Sequence, residues 1–106
     1  MANNFSDATV AISNASLTDI VTASNKSMVI AGTLSNTGTT AINVTVKKYD
    51  ASATTAFSII TLAPLPAGSS LQLPKIVLQT SDKVQCQSDN ASGNLTVALQ
   101  LLTDVA

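Results

Sequence analysis

The chain has 106 residues, of which 45% are hydrophobic, 10% charged and 3% aromatic, and its formal net charge is −1. That length makes one domain, able to hide roughly two-thirds of its unfolded surface without metal or disulfide staples. The charges are five Lys and six Asp, with no Arg, Glu, His or Trp, which argues against phosphate or base recognition and removes every imidazole-based triad, metal site or proton switch.

In chain order, residues 1–7 are polar and read as a flexible arm, and residues 8–106 as the folded domain. The start MANNFSDA has neither a basic nor an apolar leader segment, so no secretory signal is expected there. Alternation begins at Val10 and Ile12, and Leu17 to Val21 follows the Asn14 turn as a second short strand. After the Ser24-Asn25-Lys26 loop, a strand spans about Lys26 to Ser35. Met28, Ile30 and Leu34 share one parity in it and Val29, Ala31 and Thr33 the other. Gly32 invites a bulge or a close neighbour. Asn36-Thr37-Gly38-Thr39 reads as a hairpin loop with Gly available for positive φ.

Ile42, Val44 and Val46 alternate with Asn43, Thr45 and Lys47, a strand with one wet face. Tyr49 shares the Lys47 parity, so it lies outside the core unless Lys47-Lys48 holds a bulge. Phe57 and Ile59 open the next strand, which runs to Pro64-Leu65-Pro66; two prolines there mark an edge or a crossover. Leu62 to Gln87 is then strand, Pro-Ala-Gly turn, strand, strand, Ser-Asp turn and strand, with Leu71, Leu73, Ile76, Leu78, Val84 and Cys86 as apolar positions. The last strand is the cleanest: Leu95, Val97, Leu99 and Leu101 point inward, and Asn94, Thr96, Ala98 and Gln100 outward. Seven to nine short strands with no helical period predict an all-β fold, a single antiparallel β-sandwich of immunoglobulin-like or jelly-roll type.

Chemistry-bearing clusters are missing from this pattern. Cys86 has neutral neighbours, Gln85 and Gln87, and the parity of Val84, so a buried, inert thiol is expected, in a chain made in a reducing cytoplasm. The Asp residues never form a D-x-D-x-D run. A calcium site from Asp82, Asp89 and loop carbonyls competes with the plainer expectation that these side chains bond their own turns. Asp82 beside Lys83, and Asp50 after Lys47-Lys48, read as ordinary surface charges. Asn-x-Ser/Thr triplets, among them those at Asn14, Asn25, Asn43, Asn90 and Asn94, are expected by chance in so polar a composition. No catalytic residue, metal ligand or cofactor is expected, nor is a window of about 18 apolar residues long enough to cross a bilayer present.

The order of motifs carries a resemblance. A Thr-Gly turn, Ile42-Asn43-Val44-Thr45-Val46, Leu65-Pro66-Ala67-Gly68-Ser69-Ser70-Leu71, Lys75-Ile76-Val77-Leu78, then Asp82 and a closing amphipathic strand resemble small structural proteins of tailed bacteriophages. The resemblance covers about Met28 to Leu102. It departs at Ser81, where Gly commonly precedes the Asp, and at Thr103-Asp104, where a Leu-Glu ending is common. It implies a virion component rather than an enzyme: a capsid decoration (cement) subunit bound to the major capsid protein, or alternatively a tail, neck or fibre-associated β module. A carbohydrate-binding sandwich is the third reading, against which the shortage of aromatic residues stands.

A surface with so few charges is weakly protected against association, which favours a homo-oligomer, with a trimer as the first expectation on threefold lattice positions. Neither nucleic acid nor membrane is expected as a partner. The candidate contact residues are Phe5, the one apolar anchor of the arm, with Thr96 and Gln100 on the outer face of the last strand.

Overall fold

The computed structural model describes residues 4–104. Nine strands follow one another: β1 (Asn4–Ile12), β2 (Thr18–Thr22), β3 (Ser27–Asn36), β4 (Ile42–Asp50), β5 (Thr55–Leu65), β6 (Ser70–Leu73), β7 (Ile76–Leu78), β8 (Lys83–Ser88) and β9 (Leu95–Thr103). They form two antiparallel sheets. One has the order β1-β9-β3-β6, with β7 also paired to β3, and the other β2-β8-β4-β5. Consecutive strands β1 to β4 therefore alternate between sheets in pairs that never hydrogen-bond to their chain neighbours, except β4 with β5. This interleaving is the jelly-roll arrangement, not the immunoglobulin one, whose early strands pair in sequence order.

The core is the space between the sheets. Leu95, Val97, Leu99 and Leu101 of β9 project into it from the centre of one sheet, and Val44, Val46, Val84 and Cys86 from the other. Each such side chain contributes about 1.5–3 kcal/mol by leaving water. The β9 alternation is thus the inner and outer face expected of it.

Several local expectations change in the folded chain. In β3 neither parity is the buried one throughout. The register against β9 shifts between Val29 and Ala31, so Ile30 is the extra residue of a bulge. Buried Val29 before it and buried Gly32 and Leu34 after it all face inward. Gly32 also has the close neighbours: a Cβ there would stand 2.8 Å from Leu99 Cδ2 and 3.1 Å from Leu73 Cδ1.

The segment after Asn36 is not a hairpin but a crossover from one sheet to the other. Its organiser is the buried Asn36 side chain. The Nδ2 donates to the carbonyls of Thr40 (2.8 Å) and Leu65 (3.0 Å), while Oδ1 accepts from Gly38 N at 2.9 Å. Gly38 is not at positive φ; a Cβ there would stand 2.8 Å from Asn94 Nδ2 and 3.0 Å from Asn94 Cβ, so any side chain would have to displace Asn94. Pro64-Leu65-Pro66 does end an edge strand and start a crossover, with Gly68 at φ 73° in the turn.

At the N-terminus, residues 4–7 of the expected arm are strand, paired with β9 from Asn4↔Thr103 to Asp7↔Gln100. Ladder hydrogen bonding to a central strand overrides a composition that looks like loop. Residues 1–3 of that expectation lie outside the described residues.

Candidate interaction surface

Three side chains singled out from sequence, Phe5, Thr96 and Gln100, come together on one surface. Register places Thr96 opposite Ala11 and Ser35, Gln100 opposite Asp7 and Ala31, and Phe5 opposite Leu102. All lie on the outer face of the β1-β9-β3-β6/β7 sheet, because their neighbours Leu95, Val97, Leu99 and Leu101 fill the inner one.

The rest of that face follows from the same registers: Thr9 and Ala98, Thr33 and Gln72, Ser35 and Ser70. Among the described strand residues facing this way, Asp7 is the one charge. Short hydroxyl and methyl groups dominate, and they lose little rotamer freedom when fixed against a partner, whereas the amides of Gln72 and Gln100 lose more.

At one end the face turns apolar. Phe5 of β1 opposes Leu102 of β9, Leu102 opposes Met28 of β3, and Met28 opposes Val77 of β7. These four residues make a row straight across the sheet, with Phe5 80% and Val77 52% exposed. Sequence reading had Phe5 alone. The row joins residues from four distant stretches, so no local pattern could have revealed it.

The outer face of the second sheet is different in kind, because most of its polar groups pair with one another, although Gln85 Oε1 is buried without a hydrogen-bond partner. Asp19 accepts from Lys83 Nζ at 3.2 Å and from Gln85 Nε2 at 2.8 Å. The Gln85 hydrogen bond first, and then Lys83, hold the Asp19 carboxyl below its usual range. Lys83 lies 5.5 Å from the centre of the Tyr49 ring, which sits outside the core on the Lys47 side. Asp89 accepts from both the backbone and side-chain nitrogens of Asn43, each at 2.9 Å. A shallow cleft of about 80 Å³ is lined there by Asn43, Thr45, Leu62, Gln87, Ser88 and Asp89, too small for more than a few waters.

Asp82 is not the surface charge expected. It is 2% exposed, and its Oδ1 accepts from Ala51 N and its Oδ2 from Gln79 N, each at 3.0 Å. Lys48 reaches the same carboxylate. Asp50 does stay at the surface, where bonds from Ser52 and then Ala53 lower its pKa. Cys86 is fully buried, and desolvation pushes its thiol up to about 12.

No known protein family matches the chain, and no curated protein does. Solved structures share its fold. A pentameric capsid protein from metagenomic phage sequences is 19% identical with a TM-score of 0.50, over 94% of this chain and 61% of that one. The chain thus spans less than two-thirds of that protein's length. The PRD1 vertex protein P5 is 13% identical with a TM-score of 0.53, covering 93% of this chain and 95% of its own. A subunit of the disulfide-linked pili of Bacillus endospore appendages is 18% identical with a TM-score of 0.54, covering 100% and 93%. The chain is therefore an all-β sandwich of the kind these proteins share. At such identities the likeness concerns the fold, which hosts many functions.

Proposed function

We propose that this chain is a structural component of a bacteriophage particle, a non-enzymatic capsid decoration subunit that docks on the major capsid protein in several copies. The observation that carries this reading is the outer face of the β1-β9-β3-β6/β7 sheet: one charge, a field of small polar groups, and the registered row Phe5-Leu102-Met28-Val77. Such a face has little charge to desolvate, its hydroxyls and amides offer hydrogen bonds that a partner must meet, and its apolar end supplies the favourable area. Sharing a fold with a phage capsid protein and a phage vertex protein supports the same direction. Repetition around a particle adds avidity, so each contact need only be modest. The first assembly to look for has a multiple of three chains, which a threefold lattice position would accept.

The test is occupancy on purified particles. Wild-type protein is expected at hundreds of copies per particle, and Gln100→Lys, which puts a charge in the middle of the face, is expected to reduce that number severalfold while the fold is kept. A dozen copies or fewer would move the protein to the neck, tail or fibre. Complete absence from particles would end the virion reading.

A further inference from the structure

We propose that two copies of this chain join edge to edge through β1, pairing antiparallel about a two-fold axis at Ala8 so that two sheets, each four strands wide, become one continuous sheet. The inference does not depend on the virion reading, since it concerns how copies meet and not where they reside.

An unpaired strand edge is a template for another strand, and folded proteins usually blunt it with prolines, lysines, bulges or brevity. Three edges of this sandwich are blunted so. Edge strand β5 carries Pro64, left-handed Leu62 and two register shifts against β4. Strand β2 has five residues and a register shift. The β6/β7 edge is broken by Pro74 and Lys75 into pieces of four and three residues. Strand β1 has none of these devices. Its nine residues pair with β9 without a single register shift, and it contains neither proline nor lysine.

The first half of β1 also lacks cover. Ser6 faces inward, opposite buried Leu101, yet is exposed.

The sequence of β1 selects a second copy as the occupant, and a register. Residues directly opposed on antiparallel strands share a face, so a two-fold axis must pass through a residue and not between two. An axis at Asp7 sets two carboxylates opposite each other, which is destabilising, and an axis at Thr9 leaves Phe5 without a partner strand. An axis at Ala8 uses the whole strand. Asn4 then meets the partner's Ile12, Phe5 the partner's Ala11, Ser6 the partner's Val10, and Asp7 the partner's Thr9. The two Asp7 side chains fall on a diagonal about 7–8 Å apart, near the screening length at physiological salt. Phe5 gains a flat methyl neighbour, and the small Ala8 side chains cross the axis without crowding.

Cysteine trapping tests the register. Opposed residues have Cα atoms about 4.5–5.5 Å apart, inside the span a disulfide bridges, so Ala8→Cys should form a covalent dimer on mild oxidation. Ala11→Cys would lie about 20 Å from its counterpart, six residues along the strand, and should cross-link at least tenfold more slowly. Native Cys86 is fully buried and adds no background. Light scattering of the wild-type protein should give an even number of chains. Thr9→Asp, which sets a carboxylate against the partner's Asp7, should halve that mass at unchanged circular dichroism, whereas Thr9→Lys should preserve it. Equal cross-linking of the two cysteine variants, an odd or single-chain mass, or a Thr9→Asp variant of undiminished mass would each overturn the proposal.

Discussion

Lys48 Nζ lies 3.7 Å from Asp82 Oδ2, but the two partners are unequal: the Asp82 side chain is 3% exposed and that of Lys48 30%. Asp82 also ties two loops together through Ala51 N and Gln79 N. Removing a group that satisfies buried donors costs more than removing a solvated counter-charge. Asp82→Ala is expected to lose about 2–4 kcal/mol of stability in urea titration, and Lys48→Met less than about 1 kcal/mol. Equal losses would mean the ion pair, and not the backbone bonds, is what holds the loops. Since these contacts occupy both Asp82 oxygens, the melting temperature should not respond to EDTA.

Cys86 provides a pH test. Its thiol is pushed from 9.0 to about 12 by burial. A raised folded-state pKa means the stabilisation is complete below the unfolded value and is lost as pH rises from 9.0 towards 12, because only the unfolded chain releases the proton. Cys86→Ala is expected to destabilise at pH 7 by about 1–3 kcal/mol. At pH 10 that deficit should shrink by about 1.4 kcal/mol, because the variant has no thiol to ionise. A deficit independent of pH would show the thiol is solvated in the native protein. Native Cys86 should likewise resist thiol reagents until the protein unfolds.

Ser81 sits at φ 74°, a left-handed conformation that costs a side-chain-bearing residue roughly 1–2 kcal/mol. Its amide donates to Ala23 O at 2.7 Å, a bond glycine would keep. Ser81→Gly is expected to stabilise by about 0.5–1 kcal/mol after the greater entropy of the unfolded glycine chain is offset. Denaturant midpoints will read this directly; a lower midpoint would mean the serine side chain makes a contact that outweighs the strain.

The two faces of β9 should respond in opposite ways to charge. Val97→Asp puts an unpaired carboxylate in the core, at several kcal/mol against a total stability of ~5–15 kcal/mol, and should leave the domain unfolded by circular dichroism. Thr96→Lys and Gln100→Lys lie on the outer face and should shift stability by no more than about 0.5 kcal/mol. A native melting temperature for Val97→Asp would reverse the assignment of the faces.

What the amino-acid sequence determined by itself is local. Period-two alternation marked β9 and its inner face, the prolines at 64 and 66 marked the end of an edge strand, and the parity of Cys86 with Val84 put the thiol inside. Each depends on residues within one strand or turn. The tertiary structure alone decided which strands lie side by side. A turn signal such as Asn36-Thr37-Gly38-Thr39 reports that the chain reverses, but a hairpin and a crossover between sheets use the same residues. It was the long-range pairing of β3 with β9 that made it a crossover and shifted the β3 parity at Ile30. Burial of Asp82 depends on Ala51 and Lys48, more than thirty residues away in the chain. The apolar row from Phe5 to Val77 exists only because four separate stretches of chain fall into register, so its physical cause lies in the sheet and in no single segment.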